Sequence, residues 1–596
     1  MTVTTNYLVT GNGITGSTAN AVQALVSGGG NFTSSGYRTV LFADSMTSQH
    51  YVDTTPTCSY SASTGVMTLT LSSHALPTGW PVDFYHRGYA ALTAHVRKTV
   101  TRIDANTFSI QLDPGLSGVP DGALAGTGFA RMPHRLASNS FFTWLLIASG
   151  WRFNLVYNGA QSGDRTDDNL ARLQRDCLAY EPHVVFMQTA GINDMGNGTP
   201  ARDEETIFAA QKEIIQRILG VGARVVLLGM TPVASGEARA TLQNMARVRR
   251  LNRRLEDWAK DYPRIVYFDS HRLIVDPTNT TGLADANLVK STDFIHYSIR
   301  GAKKVADALW TQIAPLFPAP GDTLPTSAVD SMLTAAVTLT SPTRSGNTVT
   351  SNITAHGFRT GERVKAYGGT STVLNDYTTV TRIDADNLSF QVETAGADGA
   401  ITGTVRLTRG RNMFGNPLLL TASGGTTSSP VTGTTAALVR TRVLAGSPTA
   451  VASVVARPDG FGNNQRLVIT PAAADNRCSI ELENSTTALV AHVKGGRRYF
   501  FQAHVTMTGV SGSNLSEMGF RLFMQWDGNN HSAFALDTYD SAPLNADWSG
   551  HVRTAEITLP VGVTVTQFYF EVAPRFSAAG TALTLEVGRI ELVELE

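Results

Sequence analysis

A serine, a histidine and an acid stand out in this sequence because of what surrounds them. Ser45 closes the stretch Arg38-Thr39-Val40-Leu41-Phe42-Ala43-Asp44-Ser45. Residues 39–42 form a short apolar, β-rich run that reads as a buried strand. In open α/β sheets ligands lie beyond the carboxyl ends of the strands, so a serine placed there points into a crevice. Taken alone, Asp44-Ser45 would serve only to cap the next helix. Three later stretches change that reading. Residues 158–163 end in a glycine, Gly191-Ile192-Asn193-Asp194 offers a side-chain amide, and Asp293-Phe294-Ile295-His296 offers a base with an acid beside it. A serine hydroxyl is a poor nucleophile at neutral pH and needs a base within hydrogen-bond reach, itself oriented by a third group. Imidazole suits the first role, which falls to His296. Asp293, three residues earlier, can hold the other ring nitrogen if the pair lies on a turn entering the last helix.

The blocks Ala43-Asp44-Ser45, Gly163, Gly191-Ile192-Asn193-Asp194, and Asp293 with His296 resemble those of the SGNH (GDSL-type) hydrolase superfamily and follow its order. Ala43 stands where the first block usually opens with glycine. The resemblance implies an esterase with Ser45, Asp293 and His296 as catalytic triad. It also implies an oxyanion hole made of the backbone N–H of Ser45, the backbone N–H of Gly163 and the side-chain amide of Asn193. The residue types fit: glycine lets the backbone come close to a substrate, and Asn supplies a neutral N–H donor for a developing oxyanion. Asp44 and Asp194 are expected to brace loops, and Asp269, His271, His183 and His50 to serve structure or the crevice rim. The mechanism implies no metal and no cofactor.

The elements that must position these residues read as βα alternation from residue 138 onward. Ser138 is expected to cap a helix carrying Phe141, Phe142, Leu145 and Leu146. Strands at 153–157, 184–188, 224–230 and 264–268 alternate with helices at 164–180, 203–219, 241–260 and 299–316. That pattern predicts an α/β three-layer domain, a parallel sheet with helices on both faces. Residues 54–133 interrupt it. Alternation at Val66, Thr68 and Thr70 and over 100–103 and 108–112, with Gly/Pro punctuation, predicts a small inserted antiparallel β module. The module recurs. Thr99-Val100-Thr101-Arg102-Ile103-Asp104-Ala105 matches Thr379-Val380-Thr381-Arg382-Ile383-Asp384-Ala385, and His74, Thr78, Gly79 and Val82 match His356, Thr360, Gly361 and Val364. Both histidines are read as turn-capping or packed.

The plan is therefore an N-terminal arm at 1–36, a hydrolase domain at 37–53 and 134–318, the insert at 54–133, a linker at 319–334, a second β module at 335–409, and a β-sandwich at 410–596. The sandwich is expected to be a jelly roll of carbohydrate-binding kind. Trp526, Trp548 and Tyr569 are its candidates for stacking on sugar rings, set against the commoner fate of such aromatics as core.

Composition narrows the partners. At 596 residues the chain is too long for one core. Lys plus Arg is 48 and Asp plus Glu is 48, with no basic run, so nucleic acid is not expected. Three scattered cysteines give neither a disulfide framework nor a metal motif. The first residues show no signal-peptide pattern. The longest apolar run is too short to span a bilayer, so no membrane insertion is expected. With the resemblance, these features point to a carbohydrate esterase, a deacetylase removing acyl and foremost O-acetyl groups from an acylated polysaccharide of capsule or O-antigen. The expected setting is the virion tail, as a phage tail spike or fibre, with other tail proteins and copies of itself as partners; tail spikes are commonly trimers. Rival readings are a bacterial lipase or thioesterase of the same superfamily, and a non-catalytic glycan-binding adhesin.

Overall fold

The computed structural model describes residues 36–93, 96–188, 192–196, 200–318 and 337–595, apart from short stretches at 359, 361–362, 370–375, 393–396, 410–418, 420–421, 459–461, 483–492, 494, 527 and 538–543. The N-terminal arm up to residue 35, the linker at 319–334 and Gly191 lie outside the described residues.

Five apolar runs form a parallel sheet: β1 (Tyr37–Phe42), β2 (Phe153–Asn158), β3 (Val184–Gln188), β4 (Arg224–Leu228) and β5 (Ile265–Phe268), in the order β2-β1-β3-β4-β5. Every position of β3 is buried, as in a strand covered on both faces. Successive side chains leave a strand on opposite sides, and the two cores follow that period. Val40, Phe42, Val185, Met187, Val225 and Leu227 pack with Ile214, Ile215 and Ile218 on one face. Leu41, Phe186, Val226 and Leu228 pack with Phe142, Leu145, Val305 and Leu309 on the other. The covering helices are α2 (Phe141–Ser149), α3 (Thr166–Asp176), α4 (Glu204–Gly220), α5 (Leu242–Ala259), α6 (Ser270–Ile274) and α7 (Ile299–Ile313), preceded by the single turn α1 (Ser45–Ser48). The cap of α2 is Ser140, not Ser138: its hydroxyl accepts the N–H groups of Phe142 and Thr143 at 3.2 and 3.4 Å. Ser138 instead follows directly on a strand, and its carbonyl accepts the indole N–H of Trp144 at 2.6 Å.

The inserted strands do not join the parallel sheet, but neither do they stand alone. Strand Gly128–Ala137 runs across the expected boundary at 133/134. It pairs antiparallel with Tyr51–Thr54 and Pro81–His86, and parallel with Asn529–Asp537 of the C-terminal region. Pro133, which reads as a break in the sequence, lies where the register against Tyr51 and Val52 shifts. At such a bulge its missing N–H removes no ladder bond. The two similar stretches share their strand order, and their matching segments share register: Val100 faces Ile110 and Arg102 faces Phe108, as Val380 faces Phe390 and Arg382 faces Leu388. His74 accepts the N–H of Leu76, and His356 that of Phe358, each at 3.0 Å.

The C-terminal strands form two sheets packed face to face, with Phe501 stacked on Phe570 at a ring separation of 4.1 Å. The three aromatics proposed to stack on sugar are buried. Trp526, Trp548 and Tyr569 are 3%, 6% and 7% exposed. Trp526 lies against His531 at 3.9 Å and near Trp80 of the insert, Trp548 meets Trp144 of α2 at 5.4 Å, and Tyr569 stacks on Phe523 at 4.8 Å. The sandwich is docked on the insert and on α2, so two of these rings fill junctions instead of facing solvent. Among the described residues no helix is long and apolar enough to cross a membrane.

Candidate active site

β1 ends at Phe42, and the chain turns through Ala43 at a φ of 104°. Asp44 then caps α1, its carboxylate accepting the N–H of Met46 at 3.0 Å. This places Ser45, 8% exposed, at the carboxyl edge of the sheet. Burial pushes the Asp44 carboxyl up to about 7; Asp194 and Asp164 add to that, while the Met46 N–H and Arg172 oppose it.

The segment after β2 supplies Gly163, whose φ of +80° suits glycine. Asn193 lies beside it, its side-chain amide donating to the Asp164 carbonyl at 3.0 Å. One amide hydrogen is thereby used, and the second makes no hydrogen bond recorded among the described residues. Asp194 accepts the N–H and hydroxyl of Thr166 at 3.3 and 2.8 Å and so fastens the start of α3. Burial raises its carboxyl above the ordinary range. Arg172 of α3 ties these parts together. It reaches Asp164 at 2.6 Å, the Ala43 carbonyl at 2.6 Å and the Gly159 carbonyl.

Asp293 and His296 lie on the turn before α7. The Asp293 carboxylate accepts the backbone N–H groups of Ile295 and His296, each at 2.9 Å, and meets His296 Nδ1 at 2.8 Å. Phe294, at a φ of 60°, makes that close return possible. Burial alone would raise the Asp293 carboxyl; the hydrogen bond and charge of His296 and the two backbone donors outweigh it and hold the group well below the usual carboxylate range. An Nδ1–H donated to Asp293 leaves the lone pair of a neutral ring on Nε2. That nitrogen is buried and makes no hydrogen bond among the described residues, to Ser45 or to any other group.

Ser45, Asn193 and Ile295 line one cleft, walled also by Met46, Ile192 and Val233 and by the polar pair Gln188 and Thr231. Ser45 and Asn193 thus share a cleft with Ile295, which stands between Asp293 and His296 in the chain, whereas Trp526, Trp548 and Tyr569 belong to other parts of the molecule. His50, His183 and Asp269 make structural contacts, with Thr143, the N–H of Arg38 and the N–H of Arg272. Sequence reasoning missed Gln188, although a polar residue closing an otherwise apolar strand was a usable signal. It also missed Arg172, despite Asn169, Arg172 and Asp176 recurring at helical spacing.

Residues 117–304 match the GDSL-like lipase/acylhydrolase family. The chain therefore carries a GDSL-type acylhydrolase domain. The match takes in Gly163, Asn193, Asp293 and His296; Ser45 lies before it, on the far side of the insert. No curated protein matches the chain. Among solved structures it is similar to a GDSL-like lipase from Bacteroides thetaiotaomicron, at 20% identity over 28% of this chain and 76% of that one, with a TM-score of 0.24. It is also similar to a catalytic mutant of an acetylxylan esterase from Geobacillus stearothermophilus, at 13% identity over 47% and 94%, with a TM-score of 0.27. Neither likeness carries the functional reading, which rests on the acylhydrolase family match and the site.

Proposed function

We propose that the acylhydrolase domain is a serine esterase that removes O-acetyl groups from a polysaccharide. One observation carries this reading: the 2.8 Å Asp293–His296 pair sits on a turn whose Ile295 lines the same cleft as Ser45 and Asn193. In the mechanism, Ser45 Oγ attacks the acyl carbonyl while His296 Nε2 takes its proton, and Asp293 stabilises the resulting imidazolium. The N–H groups of Ser45 and Gly163 and the free amide hydrogen of Asn193 receive the oxyanion. Collapse of the intermediate expels the sugar hydroxyl with the proton from His296. Water, activated by the same base, then releases the acid from Ser45. The repeated β module and the sandwich docked on the catalytic unit support a polymeric substrate, and a phage tail spike or fibre acting on capsule or O-antigen is the setting we infer.

The test is incubation of the full chain with surface polysaccharides of candidate hosts, following acetyl signals by NMR. Loss of bound acetyl with appearance of free acetate is expected. Intact polysaccharides together with faster cleavage of long-chain than of acetyl p-nitrophenyl esters would instead support the lipase reading.

A further inference from the structure

The inserted module reaches the catalytic unit at the segment bearing Gly163, and it holds that segment from several sides. Arg131, fully buried on strand Gly128–Ala137, donates to the carbonyls of Asn158, at 2.9 Å, and Ala160, and is itself held by Asp53 at 2.8 Å. The hydroxyl of Tyr85 accepts the N–H of Ser162 at 3.3 Å, and the carbonyl of Thr93 accepts the Gln161 side chain at 2.9 Å. Arg87, just beyond strand Pro81–His86, makes the decisive contact. One guanidinium nitrogen donates to the Ser162 carbonyl and the other to Asp164 at 3.1 Å. The side chain lies so close over Gly163 that a Cβ there would collide with it.

The Ser162 carbonyl and the Gly163 N–H belong to one peptide unit. In a trans peptide they point in opposite directions. A cation fixed on the oxygen therefore fixes where the N–H aims, and polarises it as a donor. Asp164, the second anchor of Arg87, also presents the carbonyl that holds Asn193. Arg87 thus acts on two of the three groups assigned to the oxyanion hole without itself lining the cleft that holds Ser45 and Asn193.

We propose that Arg87 is a positioning residue of the acyl-transfer reaction, through which the inserted module sets the Gly163 donor. The inference rests on the esterase reading above. Its test is steady-state hydrolysis of p-nitrophenyl acetate by the full chain carrying Arg87→Ala, Arg87→Lys or Ser45→Ala. With Arg87→Ala, kcat should fall about 10–100-fold with KM within about twofold, since misplacing a donor costs rate and not ground-state binding. Arg87→Lys, which keeps the charge but loses the fork, should recover only part of the loss. Guanidinium at non-denaturing concentration should raise the rate of Arg87→Ala and leave the parent unchanged. If the Ala variant folds poorly, the kcat of Arg87→Lys at an unchanged melting temperature decides the matter. An inactive Ser45→Ala beside an Arg87→Ala of parental kcat, or a loss confined to KM, would overturn the proposal while sparing the esterase reading. An active Ser45→Ala would overturn both.

Discussion

At Ala43 the backbone leaves β1 with φ at 104°, a region that any side chain makes costly. The conformation is enforced from outside: the Ala43 carbonyl accepts the N–H of Gln161 at 3.0 Å and Arg172 at 2.6 Å. Such a residue stores about 1–3 kcal/mol, while glycine would lose about 0.5–1 kcal/mol through unfolded-state freedom. Ala43→Gly should therefore stabilise the catalytic unit by about 1 kcal/mol with kcat unchanged, read as a higher urea midpoint. A lower midpoint would show that the methyl group packs better than it strains. Ser45, Gly163, Asn193, Asp293 and His296 could be singled out from the sequence because the chemistry expected of them restricts residue type and chain order. Arg87, Arg131 and Arg172 could not. Each acts by reaching backbone carbonyls distant in sequence, and an arginine gives no sign of which carbonyl it will meet.

The parallel strands were readable as elements because burial on both faces makes them nearly continuous apolar runs. Strand Gly128–Ala137 was not, because Pro133 looks like a terminus until its bulge is seen. Ala130 sits in that strand between Thr54 and Phe84, with the Thr54 hydroxyl donating to its carbonyl at 2.8 Å. Ala130→Pro removes a ladder donor and leaves its acceptor unpaired, at a cost of about 2–4 kcal/mol. The neighbouring Arg131 should then loosen its hold on the Gly163 segment, so denaturant midpoint and kcat should fall together. An unchanged midpoint would mean that the strand does not tie the insert to the catalytic unit.

Across the whole molecule, the insert and the sandwich meet around Trp80, Trp526, His134 and His531, a contact invisible in a linear plan of separate modules. Trp80 lies 4.6 Å from His134, and both imidazoles are buried. Burial, with Arg102 adding to it, lowers His531 to about 4. Burial, then Arg135 and His531, lower His134 well below its ordinary value. The folded state thus binds fewer protons there than the unfolded chain, whose imidazoles titrate near 6.5. The junction is fully stable above about pH 6.5 and loses stability as pH falls from there toward about 4. Tryptophan fluorescence should report its opening in that window, and His531→Gln should flatten the pH dependence; a parental profile in a variant carrying both His134→Gln and His531→Gln would exclude the histidine cluster as the cause. The central claim concerns Ser45, and covalent labelling tests it most directly. After treatment of the full chain with a fluorophosphonate, peptide mass spectrometry should find one adduct, on Ser45. Esterase activity should disappear in step with labelling, and Ser45→Ala should show neither adduct nor activity. Labelling at another residue, or ester hydrolysis that survives in Ser45→Ala, would contradict the account.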